Sequence, residues 1–274
     1  MTKVAVVPHI GQPETVSRTG EMVSSLRDRN VEVVAAHDAA GLLGVEPTSF
    51  GPDEGLDLVI AIGGDGTVLK AVRLGRGSGA PIGGINHGNL GYLADPLPTD
   101  PSSLLDGIAA RDWFTSERML LTASINGGDP IVGLNDVVIE KVKNQRTIRL
   151  AISIDGEAFI NYPADGVVVA TATGSTAYNL SAGGPLIDPA LDMLVMTPVA
   201  PHFLFSRSMV FPPYRRIRFD VMEDRPAVVG VDGREIANLN PGEQVEVEGG
   251  GRVSIARFAD RSFPTSVRQK FSLT

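Results

Sequence analysis

Apolar positions in the first hundred residues follow two different periods. Short, nearly continuous apolar runs are typical of buried strands, and between them apolar residues recur at the spacing of one helical face. That face is clearest in Val16, Thr19, Val23 and Leu26, which follow a helix start at Pro13. The pattern predicts strands over residues 3–9, 31–36, 56–62 and 81–86, and helices over residues 13–30, 68–74 and 102–110.

The pattern changes after Asp95, where the stretch DPLPTDP interrupts it. From Arg118 onward it predicts short β segments, and two Asp-Gly pairs, at 155–156 and 232–233, are typical of tight hairpins. Because strands that alternate with helices form parallel sheets, we predict an α/β N-terminal lobe with a parallel Rossmann-like sheet, followed by a larger, mainly antiparallel β C-terminal lobe.

The predicted domains are residues 1–98, which carry the glycine-rich turn described below, and residues 99–274. No element is predicted for the tail, residues 262–274, and the pattern leaves open that this tail returns to the first domain.

Composition narrows the class of protein. The 274 residues include no cysteine, which removes disulfides and thiolate metal ligands and fits a reducing compartment. The N-terminal stretch MTKVAVVPHIG is not a secretory signal, and no apolar run approaches the roughly 20 residues of a membrane helix. A net charge of −8 disfavours nucleic acid as a partner. We therefore expect a cytoplasmic protein without a membrane or nucleic-acid partner.

A glycine-rich turn follows the third predicted strand and reads GGDGT over residues 63–67. A strand, a glycine turn and a helix in this order form a phosphate-binding layout, because backbone N–H groups and the helix N-terminus face the ligand. Gly63, Gly64 and Gly66 are predicted to supply that surface. Thr67 either caps the helix or touches a phosphate.

The acid in this turn, Asp65, would repel a phosphate that was merely bound. Its presence favours another role, either accepting a proton from a hydroxyl that attacks phosphorus or helping to hold Mg²⁺. The alternative is an ordinary strand-to-helix connection in which Asp65 is the helix N-cap.

A second polar region lies in the C-terminal half. Residues 171–181, TATGSTAYNLS, are small and hydroxyl-rich, which suits a surface close to a polar ligand, and Tyr178 offers a flat face and a hydroxyl. Asp165 ends the predicted loop NYPADG, and Asn135 and Asp136 precede an apolar strand. Such side chains suit ribose hydroxyls or a nucleobase edge. A turn or strand cap remains the alternative for the Asn-Asp pair.

Together these stretches resemble the NAD kinase family, the ATP-dependent enzymes that phosphorylate the 2′-hydroxyl of NAD. The likeness runs in order from the first strand to near the end of the chain. GGDGT alone is shared with lipid kinases and phosphofructokinases, whereas GSTAY after a GGDGT turn is highly specific. The matching stretches are GGDGT (63–67), GINHGNLGYLAD (84–95), NDVVIE (135–140), DGVVVATATGSTAYNLSAGGPLIDP (165–189) and, more loosely, APHFLFSRSMVFPP (200–213) and VDGRE (231–235).

The resemblance implies transfer of the terminal phosphate of ATP, or of another donor, to NAD, giving NADP, with Mg²⁺ or another divalent metal. It implies that Asp65 is the catalytic base and that the protein is a homodimer or homotetramer. No side chain is assigned to the metal, and a contact of Asp65 with Mg²⁺ is left open. The resemblance leaves open whether NAD or NADH is the preferred acceptor and whether ATP or polyphosphate is the phosphate donor. The NAD contacts it implies are Asp65, Gly66, Asn135, Asp136, Arg146, Asp165, Thr176, Ala177, Tyr178, Asn179, Leu180, Ser181, Ala200 and Arg234.

Three positions depart from the family pattern. Ala172 stands where proline is usual, Asp136 where glutamate is common, and Pro163 where a basic side chain is frequent. The departures at Ala172 and Pro163 keep open a non-catalytic NAD(P)-binding regulatory module, although an intact Asp65 disfavours it. A GGDGT-type kinase for another hydroxyl substrate, such as a lipid or a sugar phosphate, is a further alternative. The polar stretch 171–184 disfavours a lipid substrate, because it does not provide an apolar binding tunnel.

Overall fold

The computed structural model describes residues 1–86, 91–142, 146–222, 225–260 and 262–272. Residues 87–90, in the middle of the GINHGNLGYLAD motif, lie outside the described residues. The chain forms two compact units: unit 1 is Met1–Glu117 with Val253–Thr274, and unit 2 is Arg118–Arg252. The domain limits predicted from the proline-rich stretch stay a prediction.

The secondary structure elements follow the chain in this order. The strands are β1 (Thr2–Pro8), β2 (Val31–Ala35), β3 (Glu46–Pro47), β4 (Leu58–Ile62), β5 (Ile82–Asn86), β6 (Asp95–Pro96), β7 (Phe114–Ile125), β8 (Ile131–Gly133), β9 (Asp136–Lys141), β10 (Ile148–Ile154), β11 (Glu157–Ala164), β12 (Gly166–Thr171), β13 (Leu194–Val199), β14 (Met209–Phe211), β15 (Ile217–Met222), β16 (Ala227–Val231), β17 (Arg234–Leu239) and β18 (Gln244–Arg257). The helices are α1 (Pro13–Arg27), α2 (His37–Leu43), α3 (Asp65–Gly75), α4 (Ser102–Ala110), α5 (Tyr178–Ser181) and α6 (Phe263–Lys270).

Unit 1 is built on a parallel sheet in the order β5-β4-β1-β2-β3, and the last residues of β18 pair in parallel with β5. All five residues of β4 are buried. A strand that is covered on both faces reads as a continuous apolar run, which is why the pattern located it. The glycine turn follows the C-terminal end of β4, where ligands of α/β sheets commonly bind.

The sequences of the unit 1 helices explain where α1 and α3 begin and which face of α1 is buried. Helix α1 has proline at its first turn, and Thr15, Thr19, Met22, Val23 and Leu26 form its buried face. Helix α3 begins at Asp65, three residues earlier than its apolar pattern predicts, because Gly64 provides an extended N-cap. The short helix α2 was not predicted.

Unit 2 is mainly antiparallel β. One sheet has the order β14-β13-β12-β9-β16-β17, and the strands β11-β10-β15-β18 form a second antiparallel ladder. Inward-facing side chains such as Leu121, Ile139, Val169 and Phe219 form its main core. Both predicted Asp-Gly hairpins are confirmed, joining β10 to β11 and β16 to β17. The predicted fold class, an α/β lobe with a parallel sheet and a mainly antiparallel β lobe, is confirmed.

The structure corrects some predicted elements. The stretch NYPADG was predicted as a loop, but its first four residues belong to β11. Pro163 is tolerated there because β11 is an edge strand, which pairs only with β10 and leaves one side without ladder hydrogen bonds. Strands β13 and β14 and the tail helix α6 carry no predicted element. Within the described residues, no helix has the length and apolar character needed to cross a bilayer.

Candidate functional site

The glycine turn of unit 1 needs its glycines for steric reasons. Gly63 has φ 149°, and a Cβ there would lie 2.4 Å from the Thr67 hydroxyl oxygen. The N–H of Gly63 donates to the carbonyl of Ile85 at 2.9 Å, so the sheet already uses this donor. The N–H groups of Asp65 and Gly66 open helix α3 and have no acceptor within the helix. An anion at this turn would therefore be met by the first helical turn rather than by Gly63.

The turn faces a cavity of about 810 Å³ in unit 1. The four residues predicted to bind phosphate, Gly63, Gly64, Gly66 and Thr67, all line this cavity, so the structure brings them together. Two cationic side chains also line it. They are Lys70, which is paired with Asp38 at 2.6 Å, and Arg18, which is paired with Glu14 at 2.6 Å.

The Asp65 carboxylate is held by backbone N–H groups from another segment. Its Oδ2 accepts from Tyr92 at 2.9 Å, and its Oδ1 accepts from Leu93 at 3.1 Å and from Ala94 at 3.2 Å. The N-cap of helix α3 is Gly64, with Asp65 as the first helical residue. The alternative that Asp65 caps its own helix is therefore wrong.

The segment that holds Asp65 is itself closely fitted. A Cβ on Gly91 would lie 2.1 Å from Asp65 Oδ1, so no larger residue fits unless the carboxylate or the segment moves. Arg257 donates to the Tyr92 carbonyl at 3.2 Å and to the Asp95 carboxylate at 2.8 Å. Burial, and then the charge of Asp65, raises the pKa of Tyr92. The family resemblance includes this segment in the GINHGNLGYLAD motif, but the sequence did not show that its backbone N–H groups hold Asp65, because backbone donors carry no side-chain signature.

The Asn-Asp pair of unit 2 lies at the start of β9, with Asn135 just before the strand and Asp136 as its first residue. An acid at the tip of the β16–β17 hairpin, Asp232, accepts from the backbone N–H of Leu134 at 2.9 Å, of Asn135 at 2.7 Å and of Asp136 at 3.3 Å. In return, the Asp232 N–H donates to the Asp136 carbonyl at 3.0 Å. The sequence had indicated Asp232 only as a turn residue.

The side-chain oxygen of Asn135 has no hydrogen-bond partner among the described residues. The backbone carbonyl of Asn135 accepts from the N–H of Thr171 at 2.9 Å, and Gly174 packs so closely that a Cβ would lie 2.0 Å from that carbonyl oxygen. The side-chain oxygen, Oδ1, is buried. A buried acceptor of this kind costs free energy unless a ligand or water supplies a donor.

Asp136 lies in an acidic environment. Its side chain is buried, with 4 % exposure of the residue. Burial, together with the charge of Asp232, raises the pKa of the Asp136 carboxyl to about 7, although the backbone N–H of Tyr178 acts in the opposite direction. The carboxyl therefore changes charge near neutral pH.

Tyr178 and Asp165 belong to the same acidic region. The Tyr178 hydroxyl donates to Glu140 at 3.4 Å, and burial, followed by the charges of Glu140, Asp165 and Asp136, raises its pKa. Asp165 forms an ion pair with Lys141 at 2.8 Å. The structure thus brings together three of the predicted NAD contacts in unit 2, Asp136, Asp165 and Tyr178.

The other predicted contacts differ in their surroundings. Asn179 is buried. Its amide nitrogen donates to the carbonyls of Ser175 and Pro185, and its amide oxygen accepts from the Thr197 hydroxyl, so these hydrogen bonds of the side chain lie within unit 2. Ala200 has φ 43° and directly follows β13. Thr176, Ala177 and Leu180 are half-buried, and Ser181 is exposed.

Two predicted arginine contacts are not joined to the acidic region. Arg146 and Arg234 are both exposed. Within the part of the chain that the structure describes, no hydrogen bond or ion pair links either side chain to Asp136, Asp165 or Tyr178. The same described part contains no group of three or more metal-ligating side chains.

Comparisons with known proteins identify the family of this chain. The family model of the ATP-NAD kinase N-terminal domain matches residues 4–113, and that of the ATP-NAD kinase C-terminal domain matches residues 134–256. The chain is 34 % identical to the NAD kinase of Moorella thermoacetica over 277 residues, covering 98 % of this chain and 89 % of the relative. It is 35 % identical to the NAD kinase of Heliobacterium modesticaldum over 281 residues, covering 98 % of each.

Two solved structures share the fold. The yeast NADH kinase complexed with NADH aligns with a TM-score of 0.88 at 22 % identity, covering 100 % of this chain and 88 % of that one. The Archaeoglobus fulgidus NAD kinase in complex with ATP aligns with a TM-score of 0.74 at 24 % identity, covering 99 % and 98 %. The two family models and the relatives together show that this chain belongs to the NAD kinase family.

Proposed function

We propose that this protein transfers the terminal phosphate of ATP to the 2′-hydroxyl of NAD, giving NADP. The observation that carries the proposal is the glycine turn of unit 1. There Gly64 and Gly66 line a cavity of about 810 Å³. Asp65 lies between them in the chain; its side chain does not line this cavity, and three backbone N–H groups from residues 92–94 orient its carboxylate. Phosphoryl transfer depends mainly on positioning and on charge stabilisation, which this layout supplies.

Asp65 is the proposed catalytic base. Its Oδ2 accepts one N–H bond and its Oδ1 accepts two, and a carboxylate oxygen has room for two acceptor contacts. Oδ2 is therefore the atom that we assign to the 2′-hydroxyl, whose proton it takes as the oxygen attacks phosphorus. The N–H groups of the first turn of α3 offset the charge on the transferring group.

NAD recognition is assigned mainly to unit 2. The buried, unpartnered Oδ1 of Asn135 supports its contact with a donor of the dinucleotide, and Asp136, Asp165 and Tyr178 supply further polar groups. The remaining proposed contacts, based on the family resemblance, are Gly66, Arg146, Thr176, Ala177, Asn179, Leu180, Ser181, Ala200 and Arg234.

A divalent metal, Mg²⁺ for ATP, is part of the proposal. When bound, it neutralises charge on the donor phosphates. Mg²⁺ in such sites keeps several waters and takes only one or two carboxylates besides the phosphates. Because the described residues contain no group of three or more metal-ligating side chains, they fit a metal that the donor phosphates would carry, with no protein side chain assigned as its ligand.

We also propose a cytoplasmic homo-oligomer, either a dimer or a tetramer. The absence of cysteine from the sequence supports the compartment, and the family resemblance supports the assembly.

The test is an activity matrix with the purified full-length chain. ATP or polyphosphate, each with Mg²⁺, is combined with NAD or NADH, and NADP(H) is measured with an NADP-specific dehydrogenase. We expect NADP from NAD and ATP, at a rate that falls when Mg²⁺ is chelated. Absence of product from all four combinations would overturn the proposal. NAD binding without product would instead support a regulatory module.

A further inference from the structure

Asp232 has an unusual position for the acid of a hairpin turn. Its carboxylate reaches out of its own turn and accepts three consecutive backbone N–H groups, those of residues 134–136. These residues are 96 to 98 positions away in the chain. A carboxylate with three such bonds fixes the path of the bound backbone.

The backbone N–H and carbonyl of Asn135 are both hydrogen-bonded, whereas its side-chain oxygen is not. Asp232 binds its N–H, Thr171 binds its carbonyl, and Gly174 leaves no space behind it. Its side-chain Oδ1 is buried without a partner among the described residues. A backbone held this rigidly, with one buried acceptor left for an outside donor, is what a preorganised ligand contact requires.

We propose that Asp232 is a positioning residue for NAD, which fixes the backbone of residues 134–136 so that the Asn135 amide and the Asp136 carboxyl meet the dinucleotide. The inference rests on the proposed function, because it takes Asn135 and Asp136 as NAD contacts. Asp232 acts through these two residues and is not assigned a contact of its own.

The charge of Asp232 adds a second, measurable effect. Asp136 is faced by Asp232 from the hairpin and by the Tyr178 N–H from α5, with Glu140 on its own strand β9 and the Asp165–Lys141 ion pair in the same region. Burial and the charge of Asp232 raise the pKa of Asp136 to about 7. When the Asp232 charge is removed, the pH at which Asp136 ionises should fall.

Unit 2 contains a matched control. Asp155 is also the acid of an Asp-Gly hairpin, with φ 52° against 49° for Asp232. It also accepts a backbone N–H, that of Arg216 at 2.9 Å, and it pairs with Arg215. Asp155 lies in the β10–β11 hairpin and holds Arg215 and Arg216, neither of which is a proposed NAD contact. Asp155→Asn should therefore disturb the fold in a similar way without affecting NAD binding.

The experiment compares Asp232→Ala, Asp232→Asn and Asp155→Asn in the full-length enzyme. Readouts are KM for NAD, KM for ATP, kcat, NAD binding by calorimetry, and the melting temperature. We expect Asp232→Ala to raise KM and Kd for NAD about tenfold or more, the effect of losing one good hydrogen bond, with KM for ATP within about twofold. Asp232→Asn, which keeps an acceptor at Oδ1, should show a smaller rise. Its pH profile for NAD binding should shift to lower pH, whereas that of Asp155→Asn should not.

Three outcomes separate the possibilities. If the Asp232 variants bind NAD like the wild type at every pH, the inference is overturned. If they only melt earlier, to the same extent as Asp155→Asn, Asp232 has a structural role alone and the inference is again overturned. If Asp232→Ala does not fold, Asp232→Asn decides by the same criteria. A wild-type protein that makes no NADP would be a failure of the proposed function instead.

Discussion

The two units use one hydrogen-bonding device for different purposes. In unit 1 the carboxylate of Asp65 accepts three consecutive backbone N–H groups, and in unit 2 the carboxylate of Asp232 does the same. In unit 1 the acid that is held is the proposed catalytic group. In unit 2 the acid that is held, Asp232, is not a proposed ligand contact. The proposed contact, Asp136, is buried next to Asp232.

The comparison shows that surroundings, rather than residue type, determine what an aspartate can do. N–H donors aimed at a carboxylate orient it, as those of residues 92–94 orient Asp65. Burial next to another acid favours the protonated form, which is the situation of Asp136. We expect the two regions to respond differently to substitution and to pH.

The largest effect is expected when the acid of unit 1 is neutralised. Asp65→Asn keeps the size of the side chain but removes the group that takes the proton, so kcat should fall by about 10²- to 10⁴-fold. KM for NAD should change little. The matched control is Asp57→Asn, because Asp57 also accepts a backbone N–H in unit 1, that of Lys3 at 2.8 Å. Turnover within a few-fold of the wild type would remove Asp65 from the chemistry.

A smaller loss is expected when the segment that holds Asp65 is crowded. Gly91→Ala places a Cβ 2.1 Å from Asp65 Oδ1, so the carboxylate must shift. A displacement of this kind can cost about 10²-fold in kcat. Gly20→Ala in helix α1 is the control, because a Cβ there meets nothing within 4 Å. If Gly91→Ala keeps wild-type kcat, the orientation of Asp65 by residues 92–94 does not matter for turnover.

The smallest effect is expected in the pH dependence of stability in unit 2. Because the folded-state pKa of Asp136 is raised from 3.8 to about 7, the folded protein binds more protons than the unfolded chain between these values. The contribution of this group to the free energy of unfolding is therefore greatest in acid and is lost as pH rises through about 7. Relative to Asp136→Asn, the wild type should lose about 2 kcal/mol between pH 5 and pH 8, measured by urea unfolding.

Asp155→Asn is the control for this measurement. Hydrogen bonds from Arg216 and Arg215 lower the pKa of Asp155, so its contribution is lost only as pH falls through the acid range. The stability difference between wild type and Asp155→Asn should therefore stay constant from pH 5 to pH 8. If the difference in free energy of unfolding between the wild type and Asp136→Asn also stays constant over this range, the pKa of Asp136 is not raised to about 7.

Sequence patterns predicted the parallel core and the main chemical features. The apolar run of β4 and the bare glycines after it located Asp65, because both signals are local. The pattern wrongly predicted a loop around Pro163. These residues belong to β11, and an edge strand tolerates proline. The family resemblance gave Arg146 and Arg234 places in the predicted NAD pocket, and this stays a prediction.

The sequence by itself determined the fold class, the family and the identity of the acids and glycines that carry the proposed chemistry, because these depend on residue types and short spacings. Only the tertiary structure decided which backbone groups meet those acids. The donors to Asp65 lie 27 to 29 residues away, and those to Asp232 lie 96 to 98 residues away. Every residue except proline has the same N–H group, so no sequence pattern can mark which N–H groups folding brings to a carboxylate.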